Sequence, residues 1–125
     1  MAKKLAMVLG ITFILIGLLG FVGNPLVGGD GALFETNSLH NWVHILTGVI
    51  AVWVSAKSMA GTLMFLKIFG IVYLLVAVLG FFMDGKVLGL FHSNPADNWL
   101  HLVVALLFIW AGFWSGKDSS AHPAS

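Results

Sequence analysis

Four stretches of the chain, Leu5 to Val22, Ser38 to Ala56, Thr62 to Met83 and Pro95 to Ser115, are apolar over nearly their whole length. Each approaches the roughly 20 residues that an α-helix needs to cross a hydrocarbon layer. Inside lipid every backbone amide and carbonyl must find its partner within the segment, so all four are read as helices. The expected fold class is an all-α membrane protein, a four-transmembrane-helix bundle forming a single integral membrane domain over residues 1–125. Composition supports the same setting: 59% of the 125 residues are hydrophobic and 9% charged, with a mean hydropathy of +1.00. Soluble domains average about 45–50% and about 25%. A core this small has no room for so much apolar surface, which excludes a water-soluble enzyme, a disordered tail and a nucleic-acid arm. There is no cysteine, hence no disulfide, thiolate metal site or cysteine nucleophile.

Charge placement orients the spans. Lys3, Lys4, Lys57, Lys67 and Lys117 fall at or near one side, which predicts that this side and both termini are cytoplasmic. Lys86 and the acids Asp30, Glu35, Asp84 and Asp97 fall on the other. Lys67, just over one turn inside span three, is expected to snorkel to the inner interface. The first span is read as an uncleaved helix, because no small-x-small cleavage site with a polar start follows it. A tight turn is expected over Lys57 to Gly61, and a polar, mobile tail over 116–125.

The chain also repeats itself. Leu33-Phe34-Glu35-Thr36-Asn37-Ser38-Leu39-His40-Asn41-Trp42-Val43-His44 aligns without a gap on Leu90-Phe91-His92-Ser93-Asn94-Pro95-Ala96-Asp97-Asn98-Trp99-Leu100-His101. The frame is L-F-x-[ST]-N-x-x-x-N-W-x-H, and upstream Gly10-Ile11 and Leu19-Gly20-Phe21 match Gly70-Ile71 and Leu79-Gly80-Phe81. Two tandem helical hairpins follow, about 5–56 and 62–115, related by a pseudo-twofold axis along the membrane normal, across which equivalent residues can meet. Asn94 before Pro95 reads as a helix cap with Asp97 in the first turn, and Asn37 caps span two by the same logic. Asn37, Asn41, His44 and Gly48, like Asn94, Asn98, His101 and Ala105, lie on one helical stripe that is expected to face inward, with Asn41 and Asn98 orienting His44 and His101. Trp42, Trp53, Trp99 and Trp110 lie on another face and read as interfacial anchors.

The elements Asn37-x-x-His40-Asn41-x-x-His44 and Asn94-x-x-Asp97-Asn98-Trp99-Leu100-His101 resemble those of DUF4383, a family of small bacterial membrane proteins, and the resemblance runs from about Gly10 to Gly112. It implies a four-span protein of a bacterial cytoplasmic membrane, with the Asn and His positions as the motif, and it implies no activity.

Several functions suit this pattern. In the first, Asn37, Asn41, His44, Asn94, Asn98 and His101 form a structural hydrogen-bonded cluster that joins the hairpins, in a scaffold or accessory subunit without enzymatic activity or cofactor. Its partners would be the bilayer, other membrane proteins of a larger complex, or further copies of the chain. In the second, His44 and His101 are the axial ligands of a b-type haem in an electron-transfer protein. In the third, a divalent zinc or copper ion sits at the outer mouth on His40, His92, Asp97 and Glu35, with His44 and His101. Transport is a fourth class and would require oligomers, since four spans rarely enclose a path. Neither G-x-S-x-G nor H-E-x-x-H occurs, so no catalytic residue is expected.

Overall fold

Three local signals set where the helices begin. Asn37 is held in extended backbone at φ −124° and ψ 177°, and its Oδ1 accepts the amide of His40 at 2.9 Å. Asn94 does the same for Asp97 at 3.0 Å, while Asp97 Oδ2 accepts the Asn94 amide at 3.1 Å. This reciprocal pair is a capping box, which satisfies two otherwise orphaned donors at a helix start. Ser58 ends one helix and starts the next, its amide donating back to Val54 and its hydroxyl accepting from Gly61 at 2.9 Å.

The computed structural model describes residues 1–83 and 86–120, with side chains described as far as Trp114. Its helices are α1 (Ala2–Leu19), α2 (Ser38–Lys57), α3 (Met59–Phe82) and α4 (Pro95–Ser120). All four are long and apolar enough to span a membrane. Two short ribbons occupy the loops: β1 (Val27–Gly28) pairs in parallel with β2 (Phe34–Glu35), and β3 (Lys86–Val87) pairs antiparallel with β4 (Phe91–His92). The architecture is therefore a helical bundle carrying a folded cap at the end where both loops lie, hereafter the loop end. Asp84 and residues 121–125 lie outside the described residues.

Three expected boundaries are corrected. The first helix starts at Ala2, three residues early, and stops at Leu19, because the Asn24 amide reaches back to the Leu19 carbonyl at 2.8 Å and turns the chain into the loop. The turn expected over Lys57 to Gly61 shrinks to Ser58 alone, since a serine cap lets α3 begin at once. The tail expected from residue 116 is helical to Ser120.

Helix packing is closest within each hairpin, α1 on α2 and α3 on α4. Glycine makes this possible: a Cβ on Gly48 would overlap the Gly10 carbonyl oxygen, so the α1 and α2 backbones nearly touch there. Small residues at helix contacts in lipid act in this way, because dispersion between close backbones replaces the hydrophobic drive that lipid cannot supply. Between hairpins the core is aromatic, with Phe13 stacked on Tyr73 at 5.6 Å and edge-on to Phe108 at 6.1 Å. The outward faces carry large exposed apolar residues such as Leu15, Leu46, Trp53, Met64 and Leu75. Trp42 and Trp99 are exposed beside Phe21 and Phe81 near the loop end.

The hairpins are tied at the loop end by an exchange. Asn37 Nδ2 donates to the Leu90 carbonyl at 2.8 Å, and Asn94 Nδ2 donates to the Leu33 carbonyl at 2.9 Å. Each bond is the counterpart of the other, Asn94 standing as far from Asn37 in sequence as Leu90 does from Leu33. Replacing Asn94 with alanine removes the α4 cap and one of these cross-links together, and should cost about 2 kcal/mol of stability. Chemical or thermal unfolding in detergent measures it, and Asn94→Asp, which keeps the cap but loses the donor, should recover about half.

Candidate functional site

Beneath this tie the first turns of α2 and α4 turn their polar residues in two directions. Asn41 and Asn98 point back toward their own hairpins: Asn41 Oδ1 accepts the Thr36 hydroxyl at 2.7 Å, and Asn98 Oδ1 accepts that of Ser93 at 3.1 Å. Asn98 Nδ2 donates to the Gly80 carbonyl at 2.9 Å. A Cβ on Gly20 or Gly80 would strike these amides, so the glycine that caps the end of α1 and the one within α3 open the seat that each occupies. The expectation that Asn41 and Asn98 orient His44 and His101 is thereby overturned. Their side-chain oxygens are taken by the loop hydroxyls, which a helix start places nearer than the next turn.

The histidines converge between the hairpins instead. His40, His44 and His101 are 3%, 1% and 2% exposed, and each offers a nitrogen such that all three atoms lie within 4.8 Å of one another. The rings of His40 and His44 are 4.5 Å apart, those of His40 and His101 5.3 Å, and those of His44 and His101 5.8 Å. His40 Nδ1 donates to the His92 carbonyl at 2.8 Å. Neutral His40 therefore directs the lone pair of Nε2 at Nε2 of His101, 3.4 Å away. Both nitrogens of His44 and Nδ1 of His101 are buried without a hydrogen-bond partner among the described residues. Buried polar atoms are ordinarily paired, so three orphaned imidazole nitrogens in one cluster require a reason.

Aromatic neighbours hold the rings. Phe13 stacks on His44 at 5.4 Å with 8° between planes, and Tyr73 lies 5.6 Å from His101. A cavity of about 90 Å³ adjoins the triad, with Thr47, Tyr73, Val43, Phe69, Val72 and Val76 also in its largely apolar lining. Tyr73 donates its hydroxyl to Thr47 Oγ1 at 3.0 Å, and Thr47 donates to the Val43 carbonyl at 2.8 Å. Sequence reasoning passed over Thr47 and Tyr73. Thr47 extends the stripe His40, His44, Thr47, Ala51, Ser55, all buried along α2, and Tyr73 is the lone tyrosine.

The remaining candidates form a second, more exposed group at the loop end. His92 Nε2 lies 3.1 Å from Glu35 Oε1 and 3.3 Å from Asp30 Oδ1. Glu35 Oε2 accepts the Gly31 amide at 2.9 Å, and this bond, with His92 beside it, holds the Glu35 carboxyl below its usual value. Asp30 was not foreseen as a member. The single outer-mouth site expected from His40, His92, Asp97, Glu35, His44 and His101 is thus divided in two, with β4 meeting His40 through the Phe91 ring and the His92 carbonyl while the His92 ring turns to Glu35 and Asp30. Asp97 joins neither group: it is fully buried and its Oδ2 closes the capping box, with Oδ1 unpartnered among the described residues.

The bis-histidine haem arrangement meets a steric obstacle. His40 stands against both His44 and His101, so its ring occupies the space beside the two expected axial ligands. The fully hydrogen-bonded structural cluster also divides, since the asparagines are paired and the histidines His44 and His101 largely are not.

A family profile described as "Domain of unknown function (DUF4383)" matches residues 3–114. No curated protein and no solved structure matches the chain.

Proposed function

The chain belongs to the DUF4383 family, a domain of unknown function, and we propose that this member is a transition-metal-binding membrane protein whose centre is His40, His44 and His101. The observation that carries the proposal is the convergence of three buried imidazoles with unpartnered nitrogens. Two imidazole nitrogens on one ion, each about 2.0–2.1 Å from it, stand about 3.3–3.6 Å apart. The 3.4 Å between His40 and His101 falls within that range. The carbonyl of His92 serves His40 as an outer-shell acceptor, fixing its tautomer and ring orientation as such partners do for metal-bound histidines.

In this reading the two hairpins are copies of one unit, and the asparagines and histidines divide the work. Asn37 and Asn94 join the halves, whereas His44 and His101 are equivalent ligands from each. The triad is completed where the copies diverge, at His40, whose counterpart Asp97 is spent on the capping box. Both termini are cytoplasmic in this reading and the loop end is outside, which the lysines Lys3 and Lys4 at the start of α1 and Lys57 at the end of α2 support. Binding, storage or delivery of the ion to a membrane partner suits the site, and no catalytic role is assigned.

Equilibrium dialysis of chelator-stripped protein in detergent against zinc and copper tests the reading. One ion per chain is expected, with His101→Ala weakening it at least about 100-fold, as loss of one of three ligands should exceed the 10–100-fold typical of outer-shell changes. Equal uptake by the native chain and this variant overturns the proposal.

A further inference from the structure

Resting on the reading of His40, His44 and His101 as a ligand set, we infer that the site selects monovalent copper over divalent zinc. Charge is the first ground. All three ligands are neutral imidazoles, and among the described residues no carboxylate belongs to the group. Glu35 and Asp30 are turned to His92, and Asp97, whose Oδ2 accepts the Asn94 amide and whose Oδ1 has no partner among the described residues, is not a member of the group. A divalent ion would therefore keep its full +2 charge among buried rings, and the cost of burying a charge grows with its square, about fourfold from +1 to +2.

Ligand number is the second ground. Zinc takes four ligands in tetrahedral array, and cupric copper prefers a tetragonal set of nitrogen and oxygen donors. The triad supplies three nitrogens. The nearby hydroxyls are neutral and donate elsewhere, Tyr73 to Thr47, Thr47 to the Val43 carbonyl and Ser93 to Asn98, so none supplies an anionic fourth ligand. The rest of the cavity lining is largely apolar, with Val72, Val76, Val87 and Phe91 among it. A closed-shell cuprous ion is stable with three nitrogen donors in a plane, whereas zinc on three histidines needs a water as its fourth ligand, which this largely apolar cavity would hold poorly.

Position is the third. Both His44 nitrogens are unpartnered, so that ring presents a nitrogen at no cost in hydrogen bonds, His40 is already aimed by the His92 carbonyl, and His101 Nε2 gives up only its long 3.4 Å contact with His40 Nε2 to the ion. Three nitrogens already within 4.8 Å of one another are near the spacing that a trigonal set requires.

The test uses the full chain, stripped of metal, in detergent under argon. Cuprous ion is presented in competition with bicinchoninate, and zinc in parallel with a chromophoric zinc chelator. The expected result is one cuprous ion per chain bound at least about 100-fold more tightly than zinc, with three nitrogen scatterers in X-ray absorption and loss of binding in His44→Leu. Zinc affinity closer than that to the cuprous affinity, or higher, overturns the selectivity while leaving the metal centre standing. Binding of neither ion above the level of His44→Leu overturns the centre itself. His44→Leu keeps side-chain volume, and its folding is checked by size exclusion and helicity before either comparison.

Discussion

Metal-free protein carrying His44→Leu should be as stable as the native chain, or more stable by about 1 kcal/mol. Removing a buried polar group that has no partner relieves a desolvation penalty, and leucine of similar bulk retains much of the contact with Phe13. Asn98→Leu should do the opposite, costing about 2–3 kcal/mol, because it strands the Gly80 carbonyl and the Ser93 hydroxyl. With cuprous ion present at about 1,000 times its dissociation constant the native chain should gain about 4 kcal/mol, since the ligand binds only the folded state, and His44→Leu should gain almost nothing. Thermal unfolding with and without the ion reads all of these. A metal-free His44→Leu less stable than Asn98→Leu would make the histidine a structural residue and remove the main argument for a ligand set.

A second large effect belongs to the helix contact that supports the site. Gly48→Val should destabilise the bundle by about 3 kcal/mol, the upper end for overpacking a close contact. A Cβ there would overlap the carbonyl oxygen of Gly10 and stand 2.6 Å from Ile14 Cγ1 and 2.9 Å from the Ile14 amide nitrogen. Two of these are backbone atoms of a regular helix, which yields only by moving α1 away from α2. Since α2 carries His40 and His44, metal affinity should fall with stability. Gly23→Ala, where a Cβ meets nothing within 4 Å, is the matched control and should be neutral. Equal unfolding midpoints for the two variants in a dodecyl sulfate titration would show that α1 and α2 do not pack through this glycine.

Much of the bundle is legible before any coordinates. Apolar length marks the four helices, and Asn37, Asn94 and Pro95 mark where two of them start, because capping depends on residues only three positions apart. Boundaries governed by a single side chain are less legible. Ser58 closes the turn between α2 and α3 alone, and Asn24 ends α1 from the loop beyond it.

The site divides along the same line. Sequence spacing determines that His44 and His101 stand at equivalent helical positions, and that Asn37, Asn41 and His44 lie near one face, since an α-helix turns by a set angle per residue. It also determines that such residues avoid lipid, because an unsatisfied polar group there costs several kcal/mol. Which inward neighbour each one meets is decided by packing between helices. Gly20 and Gly80 leave Asn41 and Asn98 the room to turn back to their own hairpins, the capping box occupies Asp97, and the His92 ring turns to Glu35 and Asp30 while its carbonyl reaches His40. His40, one turn before His44, becomes the third member only when α2 and α4 are brought together. That approach depends on contacts between residues tens of positions apart, which no local periodicity records.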